Sequence, residues 1–335
     1  MSVMSRTTGS MKFSETFVAQ MARRFRLPGV LALAACAAST GSANAEGYQI
    51  DDGVERFANQ ALATFGLVAV PDQSASAVSL KSTGVNGNEF FSGQIGGGFR
   101  VSDDVPLYLE GYLGFQRYDP QVVISDGVDS LEVRAYWNGF AATGGVGWDF
   151  RFDENWSLRP IANFSLGRIA SDLSIGGAIV EDLTGEDLDF LINGGMHTGG
   201  YGGSLMLKYE LRSREMDLDF SARHTHMRLV SIGSTASDAK ADAITSAVWG
   251  RARIPIKGWK MMGSPVRSVW EGSLSAYPGD QGKLLGVDWL GRIGAGLELD
   301  TSRSGFKVIS RARFIVRYVF GDGYTGYSVG LGVSF

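Results

Sequence analysis

From about residue 75 to the end of the chain, apolar and polar residues alternate with a period of two, which indicates β-strands with one apolar face. The last strand shows this best, since Tyr327, Val329, Leu331, Val333 and Phe335 alternate with glycine and serine. We predict about twelve strands on this pattern. Their ranges are about 75–82, 89–102, 106–119, 131–152, 156–173, 200–213, 216–231, 243–256, 268–278, 288–300, 306–320 and 324–335.

The length of these strands favours a membrane-spanning barrel over a soluble sandwich. Strands of soluble proteins usually have about 5–6 residues, whereas strands that cross a membrane need about 9–11. Most connections after odd-numbered strands are longer than those after even-numbered strands, as outer-membrane barrels require, although the gap at 257–267 and the short turn at 321–323 are exceptions. We therefore predict an all-β fold, a single transmembrane antiparallel β-barrel that closes on itself and leaves no sheet edge in lipid.

A helical period precedes the strands. Apolar residues between Val54 and Phe65 fall on one face of a helix, and Asp51 and Asp52 precede them as a suitable N-cap. Gly66 is predicted to end this helix. The sequence thus predicts an amphipathic helix over residues 51–66, followed by the barrel.

The first 45 residues have the pattern of an export signal. Three arginines up to Arg26 precede an apolar stretch over residues 27–38, and the small residues at 43–45 form a cleavage site after Ala45. Two alternatives are lipoprotein processing at Cys36 and an uncleaved N-terminal anchor. The predicted organisation is therefore a signal peptide over 1–45, a helix or plug segment over 46–74 and an outer-membrane barrel over 75–335.

Composition excludes several other classes of protein. The 335 residues include 46 Gly, 8 Pro and a single Cys, which excludes a collagen and a disulfide scaffold. The formal net charge of −4 does not favour nucleic-acid binding. No stretch reaches 18 uninterrupted apolar residues, so a helical membrane protein is also excluded.

The final run GYSVGLGVSF, residues 326–335, and the order of helix then barrel resemble the translocator domains of autotransporters. The similarity is greatest to solitary autotransporter-like barrels, because only about 30 residues separate the cleavage site from the first strand. This resemblance implies a helix that plugs the lumen and a C-terminal assembly signal that the barrel assembly machinery reads. The signal residues are Tyr327, Val329, Leu331, Val333 and Phe335. It implies a non-enzymatic role in the Gram-negative envelope, either structural or adhesive, or in low-capacity transport.

If the apolar faces contact lipid, the opposite faces line a lumen that is rich in arginine. The candidate pore wall consists of Arg251, Arg253, Arg292, Arg311, Arg313 and Arg317. Such a wall predicts a small anion-selective porin as the alternative function. The competing interpretation is a lattice of cross-strand ion pairs around a plug, with Glu55 and Arg56 or the acidic loop 174–199 balancing the excess charge.

A few basic residues interrupt the lipid-facing pattern towards the predicted outer strand ends. Arg117, Arg168 and Arg228, together with His226, are candidates to bind lipopolysaccharide phosphates. Ordinary snorkelling towards the headgroups is the alternative explanation. The predicted partners are therefore outer-membrane lipid and lipopolysaccharide, besides the assembly machinery. Oligomeric state is left open.

The sequence contains little that indicates an enzyme. His224 and His226 share one strand face towards lipid, which argues against a metal site, and no metal or phosphate-binding motif is present. A set of Asp189, His197 and Thr198 in the longest loop is a weak candidate for nucleophilic catalysis. We therefore predict no catalytic residues, no metal and no cofactor.

Overall fold

The computed structural model describes residues 48–49, 53–74, 77–82, 89–102, 104–119, 121–125, 130–173, 195–232, 239–261, 263–300 and 311–334. The chain forms these elements in order: β1 (Tyr48–Gln49), α1 (Gly53–Ala69), β2 (Ala77–Ser82), β3 (Glu89–Arg100), β4 (Leu107–Asp119), β5 (Gln121–Ser125), β6 (Ser130–Trp148), β7 (Phe150–Arg151), β8 (Trp156–Leu173), β9 (Gly195–Arg212), β10 (Asp217–Ile232), β11 (Lys240–Met261), β12 (Ser264–Ala276), α2 (Asp280–Leu285), β13 (Trp289–Asp300), β14 (Arg311–Gly321) and β15 (Tyr324–Ser334).

Twelve antiparallel strands of the described chain form a closed ring. Each long strand pairs with the next along the chain, β6 pairs with both β4 and β8, and β15 returns to pair with β2. The remaining strands, β1, β5 and β7, lie outside this ring. The predicted fold class, an antiparallel β-barrel of about twelve strands with an N-terminal helix, is confirmed.

Because neighbouring strands run in opposite directions, successive connections lie at opposite ends of the barrel. The connections after β2, β4, β8, β10, β12 and β14 lie at one end, here called the loop end. The connections after β3, β6, β9, β11 and β13 lie at the opposite end, here called the turn end. The loop end carries the longest connection, residues 174–194, and the helix α2.

Several strands differ from their predicted ranges, for example β6, which ends at Trp148, and β9, which begins at Gly195. The predicted gap at 257–267 is wrong, because β11 runs on to Met261 and β12 begins at Ser264. The register between them shifts between Pro255 and Lys260, and Gly258 has a φ of 78°. Proline and a left-handed glycine interrupt the alternation that marks a strand, so the pattern is lost although the strand continues.

The outward face of the wall is apolar and the inward face is polar. Large apolar side chains such as Phe99, Phe164 and Ile293 are more than half exposed. Polar side chains at the intervening positions, for example Glu110, Asn163 and Arg223, are buried. Because a protein in water would do the opposite, this inversion requires an apolar solvent around the wall.

The helix α1 lies inside the ring at the loop end, where it packs against β11, β6, β4 and β10. It runs to Ala69, so the predicted end at Gly66 is wrong. Gly66 is an internal position at which a Cβ atom would lie only 2.8 Å from the Cβ of Ala243. Glycine at this position therefore allows the helix to pack closely against the wall, and it does not end the helix. The candidate cap residues Asp51 and Asp52 lie outside the described residues.

No helix in the described ranges is both long and apolar enough to cross a membrane.

Candidate functional site

The loop-end half of the lumen is filled by one face of α1. Ala58, Ala61, Leu62 and Phe65 are completely buried. They belong to a single apolar cluster with inward-facing side chains of the wall, which include Trp137, Ile169, Met196, Met227 and Leu229. At this end the barrel is therefore closed by the packing of side chains.

A linker of residues 70–74 continues from α1 into the middle of the lumen, where side chains of the wall hold it. The amide nitrogen of Gln94 donates hydrogen bonds to the carbonyl oxygens of Val68 and Val70, both at 3.0 Å. The carbonyl oxygen of the same side chain accepts a hydrogen bond from the backbone N–H of Asp72 at 2.6 Å. One glutamine of the wall thereby fixes the path of the chain as it leaves the helix.

An ion pair also holds this linker. The Arg292 guanidinium lies 2.6 Å from the Asp72 carboxylate and donates to Ser74 Oγ at 2.9 Å. The Asp72 carboxylate also accepts hydrogen bonds from the N–H and the hydroxyl of Ser74, both at 2.8 Å. The linker thus supplies a negative charge that the wall lacks at this position.

A buried ion pair crosses the centre of the lumen. The Arg223 guanidinium binds both oxygens of the Glu110 carboxylate, at 2.9 and 2.7 Å, and both side chains are almost completely buried. Two neutral side chains add hydrogen bonds to this pair: Asn163 donates to Glu110 at 2.7 Å, and Ser204 accepts from Arg223 at 2.8 Å. Bidentate pairing with further hydrogen bonds is what makes a buried charge tolerable.

Two more carboxylates neutralise arginines nearer the turn end. Glu271 lies between Arg251 and Arg317 and accepts hydrogen bonds from both guanidinium groups. Asp149 binds Arg159 through two hydrogen bonds, of 2.6 and 2.8 Å. These pairs occupy lumen space that would otherwise be open.

Glu298 is the centre of an arginine cluster at the turn end. Four guanidinium groups surround its buried carboxylate, at 3.3 Å for Arg313, 3.7 Å for Arg253, 3.9 Å for Arg267 and 4.0 Å for Arg311. Asp219 binds Arg253 and Asp217 binds Arg267 in turn. Asp300 lies opposite Arg311 in the strand register, so the four arginines of this cluster stand near four carboxylates.

The structure places all six arginines of the predicted pore wall in the lumen, each within an ion pair. Their acidic partners are wall carboxylates and Asp72, whereas the side chains of Glu55 and Arg56 and the acidic loop lie outside the described residues. Sequence reasoning missed Asp72, Gln94 and Arg267. Only the first had a visible signal, since it is a charged residue directly after an apolar helix.

One cavity of the described lumen lies beside the linker. A cavity of about 70 Å³ lies between the linker and the wall, lined by residues that include Arg292, Trp249 and Tyr277. Such a volume accommodates a few water molecules.

The candidate assembly signal lies on β15, the last strand of the ring. Tyr327, Val329 and Leu331 are exposed on the outward face. Of the side chain of Val333 and of Phe335 the structure describes nothing. Whether this run directs assembly stays a prediction.

The candidate lipopolysaccharide residues point outward at the loop end. Arg117 and Arg168 are exposed, and the Arg228 guanidinium binds the Asp242 carboxylate, which His226 also approaches at 3.2 Å. The charge of Arg228 is therefore compensated within the protein. Contact with lipopolysaccharide stays a prediction for all three arginines.

The weak catalytic candidates are not brought together. His197 is exposed on the outward face, whereas the neighbouring Thr198 is 1% exposed and faces the lumen. Asp189 lies outside the described residues. His224 faces outward and contacts Ser246 at 2.8 Å.

No protein-family model matches this sequence, and no curated protein sequence matches it significantly. Solved structures of similar shape include three autotransporter domains. The transport unit of AIDA-I from Escherichia coli has 11% identity and a TM-score of 0.45, covering 83% of this chain and 99% of that one. The β-domain of Bordetella BrkA has 13% identity and a TM-score of 0.43, covering 78% of this chain and 97% of that one. The translocator domain of NalP from Neisseria meningitidis has 11% identity and a TM-score of 0.42, covering 79% of this chain and 90% of that one.

Proposed function

We propose that this chain is a bacterial outer-membrane β-barrel whose lumen is closed in the resting state. This proposal rests on the observation that α1 fills the loop-end half of the barrel, while ion pairs occupy the lumen nearer the turn end. Export by the predicted signal peptide and the outward apolar belt support the location. We further propose that its role is non-enzymatic.

Within the envelope, the proposed role is structural or adhesive, or transport at low capacity. A closed lumen favours this role, because steady diffusion of solutes requires a continuous aqueous path. Displacement of α1 would provide such a path through the loop-end half, while the ion pairs would still narrow the turn-end half. Solute flow would then be small and dependent on movement of the plug.

The second candidate is an anion-selective pore, and the arginine cluster around Glu298 favours it. Four guanidinium groups lie within 4.0 Å of one buried carboxylate at the turn end, which concentrates arginine side chains there. Rings of arginine select anions in known pores. However, the pairing of Arg251 and Arg317 with Glu271, and of Arg292 with Asp72, removes most of the positive field elsewhere.

Single-channel conductance in a planar bilayer distinguishes the two candidates. We expect protein purified from outer membranes to be silent or to open rarely, and a variant lacking residues 46–72 to conduct steadily. The matched control is Glu210→Gln, since the Glu210 side chain is 41% exposed and its ion pairs lie away from the plug. Steady anion-selective conductance of the intact chain would contradict the plugged barrel and establish the pore.

A further inference from the structure

The cavity beside the linker is lined on one side by a row of three wall residues. Trp249 of β11, Ser273 of β12 and Arg292 of β13 lie opposite one another in the strand register, and all three line this cavity. Because neighbouring strands lie about 4.8 Å apart, the backbones of Trp249 and Arg292 are about 9.6 Å apart. The two long side chains therefore flank Ser273 on the lumen side of the wall.

Two buried donors of this row have no acceptor. Neither the indole Nε1 of Trp249 nor the guanidinium Nε of Arg292 has a hydrogen-bond partner among the described residues. Both are N–H groups that can only donate, and burial of such a group without a partner is unfavourable. The row therefore lacks a hydrogen-bond acceptor, which a bound molecule can supply.

The Arg292 guanidinium holds the linker through one nitrogen and leaves another unpaired. Its Nη1 binds the Asp72 carboxylate and donates to Ser74 Oγ, whereas its Nε has no partner in the described chain. A guanidinium presents its N–H groups in a fixed fork, so separate acceptors can bind its different edges. A ligand that accepts from Nε can thus bind Arg292 while Asp72 stays in place.

A second cation acts on the donor at the other end of the row. The Arg251 guanidinium lies 4.4 Å from the centre of the Trp249 ring. A cation over the face of an indole attracts the electrons of the ring, which makes the N–H group more positive. The Trp249 indole is therefore a stronger hydrogen-bond donor than an isolated indole, and a negatively charged acceptor gains most from it.

The size and charge of the cavity restrict the ligand. A volume of about 70 Å³ holds a few water molecules, so an anion of about three or four non-hydrogen atoms fits and a larger metabolite does not. The Asp72 carboxylate also lines the cavity. It repels a divalent anion more strongly than a monovalent one, so a single negative charge is favoured.

We propose that this cavity binds a small monovalent oxyanion, such as formate or nitrate, across the row of Trp249, Ser273 and Arg292. One oxygen accepts from the indole N–H, another accepts from the Nε–H of Arg292, and the Ser273 hydroxyl donates to either. Water is the competing occupant, but it lacks the charge that strengthens a hydrogen bond from a guanidinium. The proposal goes beyond the proposed function, because a closed barrel can hold an anion without conducting it.

The indole N–H signal of Trp249 in nuclear magnetic resonance provides a direct test. The full protein in detergent micelles is labelled with ¹⁵N at its 7 tryptophans, and Trp249→Phe identifies the signal. The probe is sodium formate, exchanged for sodium gluconate at constant ionic strength, because gluconate is too large for the cavity. We expect a saturable shift of this signal with a dissociation constant in the millimolar range, since a ligand as small as formate cannot bind much more tightly. We also expect a nuclear Overhauser effect between the formate proton and the indole N–H.

Two variants of the row and one matched control define the site. Arg292→Lys keeps a cation for Asp72 but removes the Nε–H, and it should weaken formate binding at least about tenfold, because hydrogen bonds to charged groups are strong. Ser273→Ala should weaken formate binding several-fold. The control is Trp259→Phe, since Trp259 is 51% exposed and does not line the cavity. This variant should bind formate as the parent protein does.

Three results would overturn the proposal. A Trp249 signal that formate leaves unchanged would show that water alone occupies the cavity. A saturable shift that persists in Arg292→Lys and in Ser273→Ala would show that the ion binds elsewhere. Equal shifts of the Trp249 and Trp259 signals would reveal a general effect of the salt. Because conductance is not measured, each of these results leaves the closed barrel to be tested separately.

Discussion

Asp72 and Arg292 form an ion pair inside the barrel, with 2.6 Å between Oδ2 and Nη1, although 220 positions separate them in the sequence. One residue belongs to the linker behind the plug helix and the other to the wall. The pair therefore ties the position of the plug to the barrel and supplies the most direct test of whether the two act together.

Replacement of Asp72 should loosen the plug. Asp72→Ala leaves the Arg292 side chain, which is 8% exposed, without its carboxylate. Because the Asp72 side chain is 36% exposed, the loss should be smaller than the about 3–5 kcal/mol that is typical of a fully buried pair. We expect a lower free energy of unfolding in urea and more frequent channel openings. The double variant Asp72→Ala with Arg292→Leu should recover part of the lost stability, and equal effects of the single and double variants would argue against coupling.

Glu298 should matter far more to stability than an exposed carboxylate of the same wall. Glu298→Gln removes the central charge of the four-arginine cluster, and we expect a loss of about 3–5 kcal/mol in urea unfolding. Glu210→Gln is the control, because its exposed ion pairs are worth about 1 kcal/mol or less. Similar losses for both variants would show that the cluster around Glu298 is not buried in the membrane-bound protein.

Truncation of the plug's apolar face should both destabilise and open the barrel. Leu62 is fully buried in the lumen cluster, so Leu62→Ala should cost about 2–5 kcal/mol through lost burial and a cavity. Thermal unfolding and conductance should change together. Gln60→Ala, on the same helix but only half-buried, should have a much smaller effect on both measurements.

A charge on the outward belt should oppose insertion. Ile293 is 57% exposed in the interior of β13. Ile293→Arg should cost about 2–4 kcal/mol for folding into lipid vesicles if this position faces the membrane interior. Ile293→Leu serves as the control and should fold as the parent protein does. An unchanged folding yield for the arginine variant would mean that water, not lipid, contacts this face.

The outward arginines should differ in their affinity for lipopolysaccharide. Asp242 already neutralises Arg228, whereas among the described residues no carboxylate pairs with Arg168. We therefore expect Arg168→Ala to weaken lipopolysaccharide binding several-fold and Arg228→Ala to change it little, measured by surface plasmon resonance. The reverse order would indicate that the Arg228–Asp242 pair opens to receive the phosphate.

The pattern of the wall could be predicted because it repeats and has a single physical cause. Along β15, each outward residue from Tyr327 to Leu331 meets lipid and each inward residue is small, so alternation is visible without knowledge of any neighbour. The same alternation, followed along the chain, predicts about twelve strands and a lumen lined by arginine side chains. It failed at Pro255 and Gly258, where the strand continues but the alternation does not.

The partners of the lumen charges could not be predicted in the same way. Glu110 and Arg223 lie on strands 113 positions apart, and nothing in the local sequence indicates that they meet. Their pairing depends on the stagger of the closed ring, which is a property of all strands together. For the same reason, the sequence left open both a pore and a lattice of cross-strand ion pairs, and the folded wall is largely ion-paired.

The sequence by itself determined that the outer face of the wall contacts lipid and that the wall is built of membrane-length strands. Both follow from local properties, namely the alternating apolar face and the length of each strand. Only the tertiary structure decided the length of α1 and the attachment of its linker through Asp72. Both depend on contacts between residues distant in sequence: Gly66 of the helix lies close to Ala243 of the wall, and the ion pair with Arg292 of the wall holds the linker in the lumen.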